Sequence, residues 1–177
     1  MIMAIYYLLN QNPNGVNSQF IFDQNYQSIM ILTGQFGFSQ GSLNLLSING
    51  DYLGRVIQIK QKFSPIYQLE KEHQPIGQMH KLTGVWHQFT FISQLNWATI
   101  GSIATNSYQT AHGVHNIFTV QPIINKKGLD GIMITLEDEQ QDLVPVFLVA
   151  ATLNQWSLIA QRKNRLKFNR FNMMATN

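Results

Sequence analysis

One stretch near the C-terminus, Leu143 to Gln161, limits what this chain can fold into more than any other part. Its sequence, LVPVFLVAATLNQWSLIAQ, holds no charged residue, and Arg162 and Lys163 follow directly. Asp142 before it suits a helix N-cap, Pro145 falls in the first turn, and cations after the last turn suit the negative end of the helix dipole. We therefore expect one helix that is apolar nearly all round. Such a helix must be buried, either in a protein interior or in a bilayer.

These two environments make different demands on the polar residues of the stretch. About 20 apolar residues span a bilayer, and Thr152, Asn154, Gln155 and Ser157 interrupt the run. Polar groups without partners are costly in hydrocarbon, whereas a protein interior can supply partners. We expect an internal helix, with a membrane anchor as the alternative. If the helix is internal, deleting residues 143–161 should leave an unfolded or insoluble chain.

The chain before this helix has the pattern of an antiparallel β protein. Short runs of aromatic and β-branched residues alternate with turns rich in Asn, Gly, Asp, Gln and Pro. No helical period appears between Ile5 and Leu136. The predicted strands lie near Ile5–Leu9, Gln19–Asp23, Ser28–Thr33, Leu43–Ile48, Tyr52–Lys60, Ile66–Glu70, Pro75–Leu82, His87–Ile92, Trp97–Thr105, Ser107–Ala111, His115–Val120 and Gly131–Glu137.

Several predicted hairpins share one plan, in which a strand and a polar turn are followed by a strand that opens on a glycine. The glycines are Gly54, Gly77, Gly101 and Gly131, at intervals of 23, 24 and 30 residues. A glycine within a strand usually marks a bend or bulge, as closing a barrel requires. Side chains fill a barrel of eight strands, whereas about twelve strands leave room for a helix about 10–12 Å wide. The sequence predicts a mainly β fold, a closed antiparallel barrel of about twelve strands around a central hydrophobic C-terminal helix.

The charge distribution divides the chain into a barrel domain, residues 1–161, and a basic tail, residues 162–177. The last sixteen residues hold five of the 12 Lys and Arg: Arg162, Lys163, Arg165, Lys167 and Arg170. Without these five the chain has seven basic and nine acidic residues, so the tail accounts for the sequence pI of 9.2. A uniform basic surface for nucleic acid is therefore not expected.

The chain contains no cysteine. This excludes disulfides, thiolate metal sites and thiol catalysis, and it is compatible with a reducing cytoplasm. The opening MIMAIYYLLN lacks the basic region and cleavage site of a secretory signal, so we interpret it as the first strand. We expect a cytoplasmic protein that can lie at the periphery of a membrane.

Two motifs that often mark enzymes have simpler explanations here. The segment Gly37–Gly41 matches G-x-S-x-G, but a nucleophile elbow needs a helix after the turn and here a strand follows. A hairpin loop is therefore favoured over an esterase that uses Ser39. His112 and His115 have a spacing that zinc ligands adopt, yet one or two more ligands are needed and the acidic cluster is remote in sequence. We expect no enzymatic activity, no metal and no cofactor.

The chain is similar to the tubby C-terminal-like superfamily, and within it to the small LURP-one-related proteins. The similarity covers roughly residues 16–160 and rests on the successive hairpins, on RVIQIKQKFSPIYQL and on VPVFLVAATLNQW as the final helix. It implies a closed barrel around a C-terminal helix, no conventional enzymatic activity and, as in tubby-like domains, binding of phosphoinositide headgroups. Tubby carries a basic pair after the glycine of one strand. Neither Ile76–His80 nor Leu53–Ile57 reproduces that pair.

One candidate site for an anionic lipid headgroup lies at and just beyond the end of the fifth predicted strand. Lys60 and Lys62 are two residues apart, so both face one side of the strand while Ile57 and Ile59 face the other. If the isoleucines face the helix, the lysines face outward and can hold an anionic headgroup together with Arg55. The alternative is an ordinary solvated face of the barrel.

The other candidate site is the tail, where the five cations alternate with apolar residues in RKNRLKFNRFNMM. Each cation near an anionic membrane contributes about 1 kcal/mol, and we expect any membrane affinity to reside here rather than in the lysine pair. A disordered solubilising terminus is the alternative. The predicted function is a non-enzymatic barrel that binds an anionic phospholipid or another lipidic ligand at the membrane surface. A protein-interaction or structural module without a small ligand is the alternative.

Overall fold

The computed structural model describes residues 3–10, 18–36, 41–60, 65–83, 88–124, 130–138 and 141–174. Within these ranges, twelve strands precede one helix, in the order and number predicted. The elements are β1 (Ala4–Leu9), β2 (Ser18–Phe22), β3 (Ser28–Gln35), β4 (Ser42–Ser47), β5 (Tyr52–Lys60), β6 (Ile66–Lys71), β7 (Gln74–Thr83), β8 (Gln88–Ile92), β9 (Trp97–Ser102), β10 (Ser107–His112), β11 (His115–Ile124), β12 (Asp130–Leu136) and α1 (Leu143–Met174).

The strands form one closed antiparallel barrel, as predicted. Each strand pairs with its neighbours along the chain, and β1 pairs with β12 to complete the circle. The closing ladder has six residue pairs, from Ala4 opposite Leu136 to Leu9 opposite Gly131. Because the sheet closes on itself, no strand is left with an unpaired edge.

The predicted glycines lie where two strand backbones come unusually close. A Cβ atom built on Gly54, Gly77, Gly101 or Gly131 would lie 2.5, 2.6, 2.3 or 2.5 Å from a carbonyl oxygen of a neighbouring strand or, for Gly77, of the turn that directly follows one. The strand register also shifts beside Gly54 and beside Gly77, which is the signature of a β-bulge. Any side chain at these positions would push the strands apart. The glycine repeat therefore allows the sheet to bend into a barrel.

The first part of α1 fills the barrel. Every residue from Val146 to Asn154 is buried, and the phenyl ring of Phe147 packs edge-to-face against Tyr6 with ring centroids 5.1 Å apart. The carboxylate of Asp142 accepts a hydrogen bond of 3.1 Å from the backbone N–H of Val144, so it caps the helix as predicted. The helix is therefore internal, and its apolar surface is shielded by the strands.

Of the four polar residues that interrupt the apolar run, Thr152, Asn154 and Ser157 are buried and have partners inside the barrel, and Gln155 is half-buried. The Thr152 hydroxyl donates to the Leu148 carbonyl at 2.8 Å, and the Ser157 hydroxyl donates to the Ile103 carbonyl. Asn154 accepts from Asn106 at 2.9 Å and donates to Asn10 at 2.6 Å. These bonds offset the cost of burying the polar groups.

The helix starts where the sequence predicts but continues further than predicted. It begins at Leu143 and ends at Met174 instead of Gln161, so the backbone of the basic tail is helical to within three residues of the end of the chain. The prediction placed the end where the apolar run gives way to charges. Charge does not stop a helix, because Lys and Arg are good helix formers and this segment has no Gly or Pro.

Candidate functional site

The antiparallel connections give the barrel two distinct ends. The first residue of β1, Ala4, lies opposite the last residue of β12, Leu136, and the chain passes from there into α1. The turns that follow β2, β4, β6, β8 and β10 therefore lie at the same end as the start of the helix. The opposite end holds the last residue of β5, Lys60, and is the end towards which the helix runs.

The end where the helix starts is rich in acidic residues, and we call it the acidic end. Seven of the eight acidic residues in the described ranges lie in its turns or adjoining strand halves, and only two described cations, Arg55 and Lys71, accompany them. The eighth, Asp130, begins β12 at the opposite end. The seven are Asp23, Asp51, Glu70, Glu72, Glu137, Asp138 and Asp142.

Both cations of the acidic end are in ion pairs. The Arg55 Nε atom lies 2.6 Å from Glu70 Oε2, and Gln68 donates to the other Glu70 oxygen at 2.9 Å. The Lys71 Nζ atom lies 2.5 Å from Asp142 Oδ2. These hydrogen bonds raise the pKa of Arg55 and of Lys71 above their ordinary values. The candidate headgroup residue Arg55 is thus held by Glu70, five residues and about 17 Å along the strand from Lys60.

The other end collects the remaining described cations, and we call it the basic end. Seven of the nine Lys and Arg residues in the described ranges belong to it, with Asp130 as its one described acid. Lys62 falls in residues 61–64, outside the described ranges. The seven cations are Lys60, Lys81, Arg162, Lys163, Arg165, Lys167 and Arg170.

In the strand that carries Lys60, the isoleucines do not face the helix. Val56 and Gln58 are buried, whereas Ile57 is half-buried and Ile59 is exposed, so the condition under which the sequence analysis placed Lys60 outward is not met. Gly54 sets the alternation because it faces the helix side chains Val144 and Leu148. A register shift between Gln58 and Lys60 then interrupts this alternation. Lys60 is exposed, and its neighbour Ile59 is exposed as well.

The helix carries five of the cations beyond its buried part. Ser157 is the last buried residue among the helix side chains that the structure describes, and Gln161 and Arg162 are exposed. At 1.5 Å per residue, the twelve residues from Lys163 to Met174 extend the helix by about 18 Å more. The two groups of cations predicted from sequence, one in β5 and one in the tail, are thus brought to the same end of the molecule.

Lys81 is a basic residue of this end that the sequence analysis did not single out. Its ammonium nitrogen lies 4.7 Å from the centre of the Trp156 ring, a cation–π contact. Tyr67 packs against the same indole with ring centroids 5.1 Å apart, and burial raises the pKa of Tyr67 above its ordinary value. Lys81 lies two residues after the fully buried Met79 on the same strand. Because every second side chain of a strand faces the same side, this spacing indicates that Lys81 faces inward.

The two enzyme-like motifs have the following places in the fold. Residues 37–40, which include Ser39, lie outside the described ranges, but the element after them is the strand β4 and not a helix. His112 and His115 face each other across the turn between β10 and β11, as expected of turn histidines. Among the described residues, no group of three or more His, Asp or Glu side chains is placed to hold a metal ion.

Comparison with known proteins supports the fold. No protein-family model matches the chain, and no curated protein matches it. The solved X-ray structure of protein AT5G01750 from Arabidopsis thaliana is similar, with a TM-score of 0.54 over 85% of this chain and 88% of that chain, at 11% sequence identity. At this identity the similarity concerns the fold alone.

The described residues include one helix long and apolar enough to cross a membrane, Leu143–Arg162. In this structure, 72% of its most apolar window is buried inside the protein. The interior of the barrel therefore provides the buried environment that a helix without charged residues needs.

Proposed function

We propose that this protein is a non-enzymatic barrel of the tubby-like, LURP-one-related type that binds an anionic phospholipid surface through its basic end. The observation that supports this most is the separation of charge along the barrel axis. Seven described cations and one acid occupy the basic end, and seven acids and two paired cations occupy the acidic end. An anionic surface attracts the first end and repels the second, so it orients the molecule.

The projecting helix supplies most of this attraction. Its five cations follow the last turn that the structure shows to be buried, at the basic end of the barrel. At about 1 kcal/mol for each cation near an anionic membrane, and with a tenfold change in affinity for every 1.4 kcal/mol, five cations give a large effect. Lys60 at the rim of the barrel adds to the same field.

Co-sedimentation with vesicles tests the proposal. We expect the full chain to bind vesicles of phosphatidylcholine mixed with phosphatidylserine and not vesicles of phosphatidylcholine alone. A chain ending at Gln161 should bind more weakly by roughly a thousandfold or more, because five cations at about 1 kcal/mol each are lost. Binding should weaken with salt, because the Debye length falls from about 10 Å at 0.1 M to about 3 Å at 1 M.

Two further variants locate the site. Lys60→Glu with Lys62→Glu should weaken binding less than the truncation does, and Lys71→Gln at the acidic end is the matched control that should leave binding unchanged. If the truncated chain binds as well as the full chain while the double reversal abolishes binding, the barrel rim is the site and the helix is not. Equal binding to neutral and anionic vesicles, or none to either, contradicts the proposal and favours a protein-interaction module.

A further inference from the structure

The outer wall of the barrel carries an exposed apolar patch on three neighbouring strands. Leu82 of β7 lies directly opposite Phe89 of β8, and Phe89 lies directly opposite Ile100 of β9. These side chains are 49%, 38% and 57% exposed, and Phe91, two residues from Phe89 on the same face, is 37% exposed. Directly opposed side chains in a sheet have Cβ atoms about 5 Å apart. The four residues, Leu82, Phe89, Phe91 and Ile100, therefore form one continuous surface, which we call the apolar wall.

Leu82, Phe89 and Ile100 belong to one row of directly paired residues that runs across neighbouring strands, and the apolar wall ends abruptly along this row. On the far side of Ile100 the row continues through Gln109, Thr119 and Thr135, all of which are polar. An outward row on a barrel in water is expected to be polar throughout, and contiguous apolar patches on such surfaces usually mark contact sites. The change of character at Ile100 thus separates the wall from an ordinary solvated face.

The apolar wall also belongs to the basic end. Leu82 is the residue before the end of β7 and Phe89 is the second residue of β8, so both lie where β5 ends at Lys60. Beside that lysine, Ile59 adds another exposed apolar side chain. The exposed apolar residues at the acidic end are different, because Met3, Tyr26, Ile48 and Val114 precede β1 or occupy separate turns.

We infer that the apolar wall inserts into the interfacial region of an anionic bilayer, so that the barrel lies with β7, β8 and β9 against the membrane. This inference rests on the proposed function, and it adds the orientation and a second source of affinity. Cations attract the molecule over a distance that salt can screen, whereas insertion of apolar side chains acts at contact and is not screened. Peripheral proteins commonly need both signals for stable attachment.

A bilayer fits the apolar wall better than a second copy of the chain does. In a symmetric dimer the two-fold axis passes through the patch, so a wall-to-wall dimer would bring two basic ends together, at a cost in repulsion. Stable protein interfaces also bury about 800 Å² on each partner, which four side chains do not provide. An anionic membrane presents the opposite charge beside an apolar phase, which matches both parts of this surface.

The absence of cysteine makes the inference easy to test. A single cysteine introduced at an exposed apolar position of the full chain can be labelled with a polarity-sensitive fluorophore that reacts with thiols. Four such variants are needed: Leu82→Cys, Ile100→Cys, Ile48→Cys and Val114→Cys. With phosphatidylcholine and phosphatidylserine vesicles, we expect a blue shift and a severalfold rise in emission at Leu82→Cys and Ile100→Cys. Lipids that carry a nitroxide on the acyl chain should quench these two labels. The labels at Ile48→Cys and Val114→Cys, at the acidic end, should not respond.

A second measurement removes the apolar side chains themselves. Phe89→Ser with Ile100→Ser should reduce vesicle binding at 1 M salt about tenfold and should leave the circular dichroism melting curve cooperative. Ile48→Ser with Val114→Ser is the matched control, which should bind as the unaltered chain does. If the chain binds anionic vesicles and the wall labels stay unchanged, the inference is overturned and the proposed function stands.

Two other outcomes also overturn the inference, and they are distinguishable from this one. Failure of the unaltered chain to bind anionic vesicles contradicts the proposed function as well. A response of the wall labels without lipid, together with a dimer mass by light scattering, shows that the wall is a contact between copies of the chain.

Discussion

The two parts of α1 differ in what surrounds them, although they form one continuous helix. From Val144 to Ser157 the helix lies inside the barrel of twelve strands and carries no charge, and the side chains of Thr152, Asn154 and Ser157 are hydrogen-bonded. From Arg162 to Arg170 the same helix carries five cations past the end of the buried part. The inner part is thus held by the fold, whereas the outer part is the segment that we propose binds an anionic surface. Mutations in the two parts should have different effects, and four predictions test this.

The largest expected effect is in the middle of the inner part. Phe147→Ala removes a side chain that is 1% exposed and packs against Tyr6 at 5.1 Å. Loss of a fully buried phenyl group usually costs about 3–5 kcal/mol, because a cavity is left. Chemical denaturation should show this decrease in the free energy of unfolding. A change below about 1 kcal/mol would mean that the helix is not packed inside the barrel.

The next effect concerns a buried polar residue of the inner part. Asn154→Leu removes the partner of both Asn106 and Asn10, whose amides are bonded to it at 2.9 and 2.6 Å. Leaving buried polar groups unsatisfied costs about 1–3 kcal/mol in the free energy of unfolding. The double variant Asn106→Leu with Asn154→Leu should be less destabilised than the sum of the two single variants, because it removes both members of one pair. Additive effects would contradict the observed bond.

A smaller effect is expected at the start of the inner part. Asp142→Ala removes the cap on Val144 and the ion pair with Lys71, for about 1 kcal/mol. The ion pair raises the pKa of Lys71 above its ordinary value of 10.5. Its contribution to stability is therefore complete below this value and disappears as the pH rises through the higher pKa of the folded state. The difference in unfolding free energy between Asp142→Ala and the unaltered chain should therefore shrink above about pH 10.5, whereas a pH-independent difference would exclude the ion pair as its source.

The smallest effect on stability is expected in the outer part. A chain ending at Gln161 keeps every helix residue that the structure shows to be buried, so we expect its free energy of unfolding to lie within about 0.5 kcal/mol of that of the full chain, as for other changes away from buried features. Denaturant titrations of the two chains measure this. A loss of several kcal/mol would show that the outer part supports the barrel, and weaker vesicle binding by this chain would then no longer separate function from folding.

Local pattern and elementary packing were enough to predict most of the fold. Alternation and turn residues located all twelve strands, and the spacing of the glycines indicated that the sheet closes. The uncharged run and Asp142 fixed the start of the helix. Polar residues such as Asn154 argued for a protein interior, and they have partners there. These features are local, or depend on counting strands, and for that reason a single sequence reveals them.

The parts of the candidate site that the sequence did not reveal depend on distant contacts. The facing of Ile57 and Ile59 follows from Gly54 against the helix and from the register shift before Lys60, neither of which β5 alone records. The rim and the tail are about a hundred residues apart in sequence, and only the topology shows that Lys60 and Arg162 belong to the same end of the barrel. Likewise, the apolar wall appears only when Leu82 and Ile100 are brought to one face.

The closing of β1 onto β12 has a consequence for how the chain is made. The sheet cannot close until Leu136 of β12 has been synthesised and can pair with Ala4 of β1. The helix that fills the barrel is synthesised after that. A growing chain on the ribosome therefore holds up to twelve strands whose inner apolar faces have nothing to cover them. Contacts this distant along the chain are slow to form, and partly folded chains of this kind aggregate. We expect a chain stalled before Leu143 leaves the ribosomal tunnel to be protease-sensitive and bound by chaperones, and release of the full chain to make it resistant in one step.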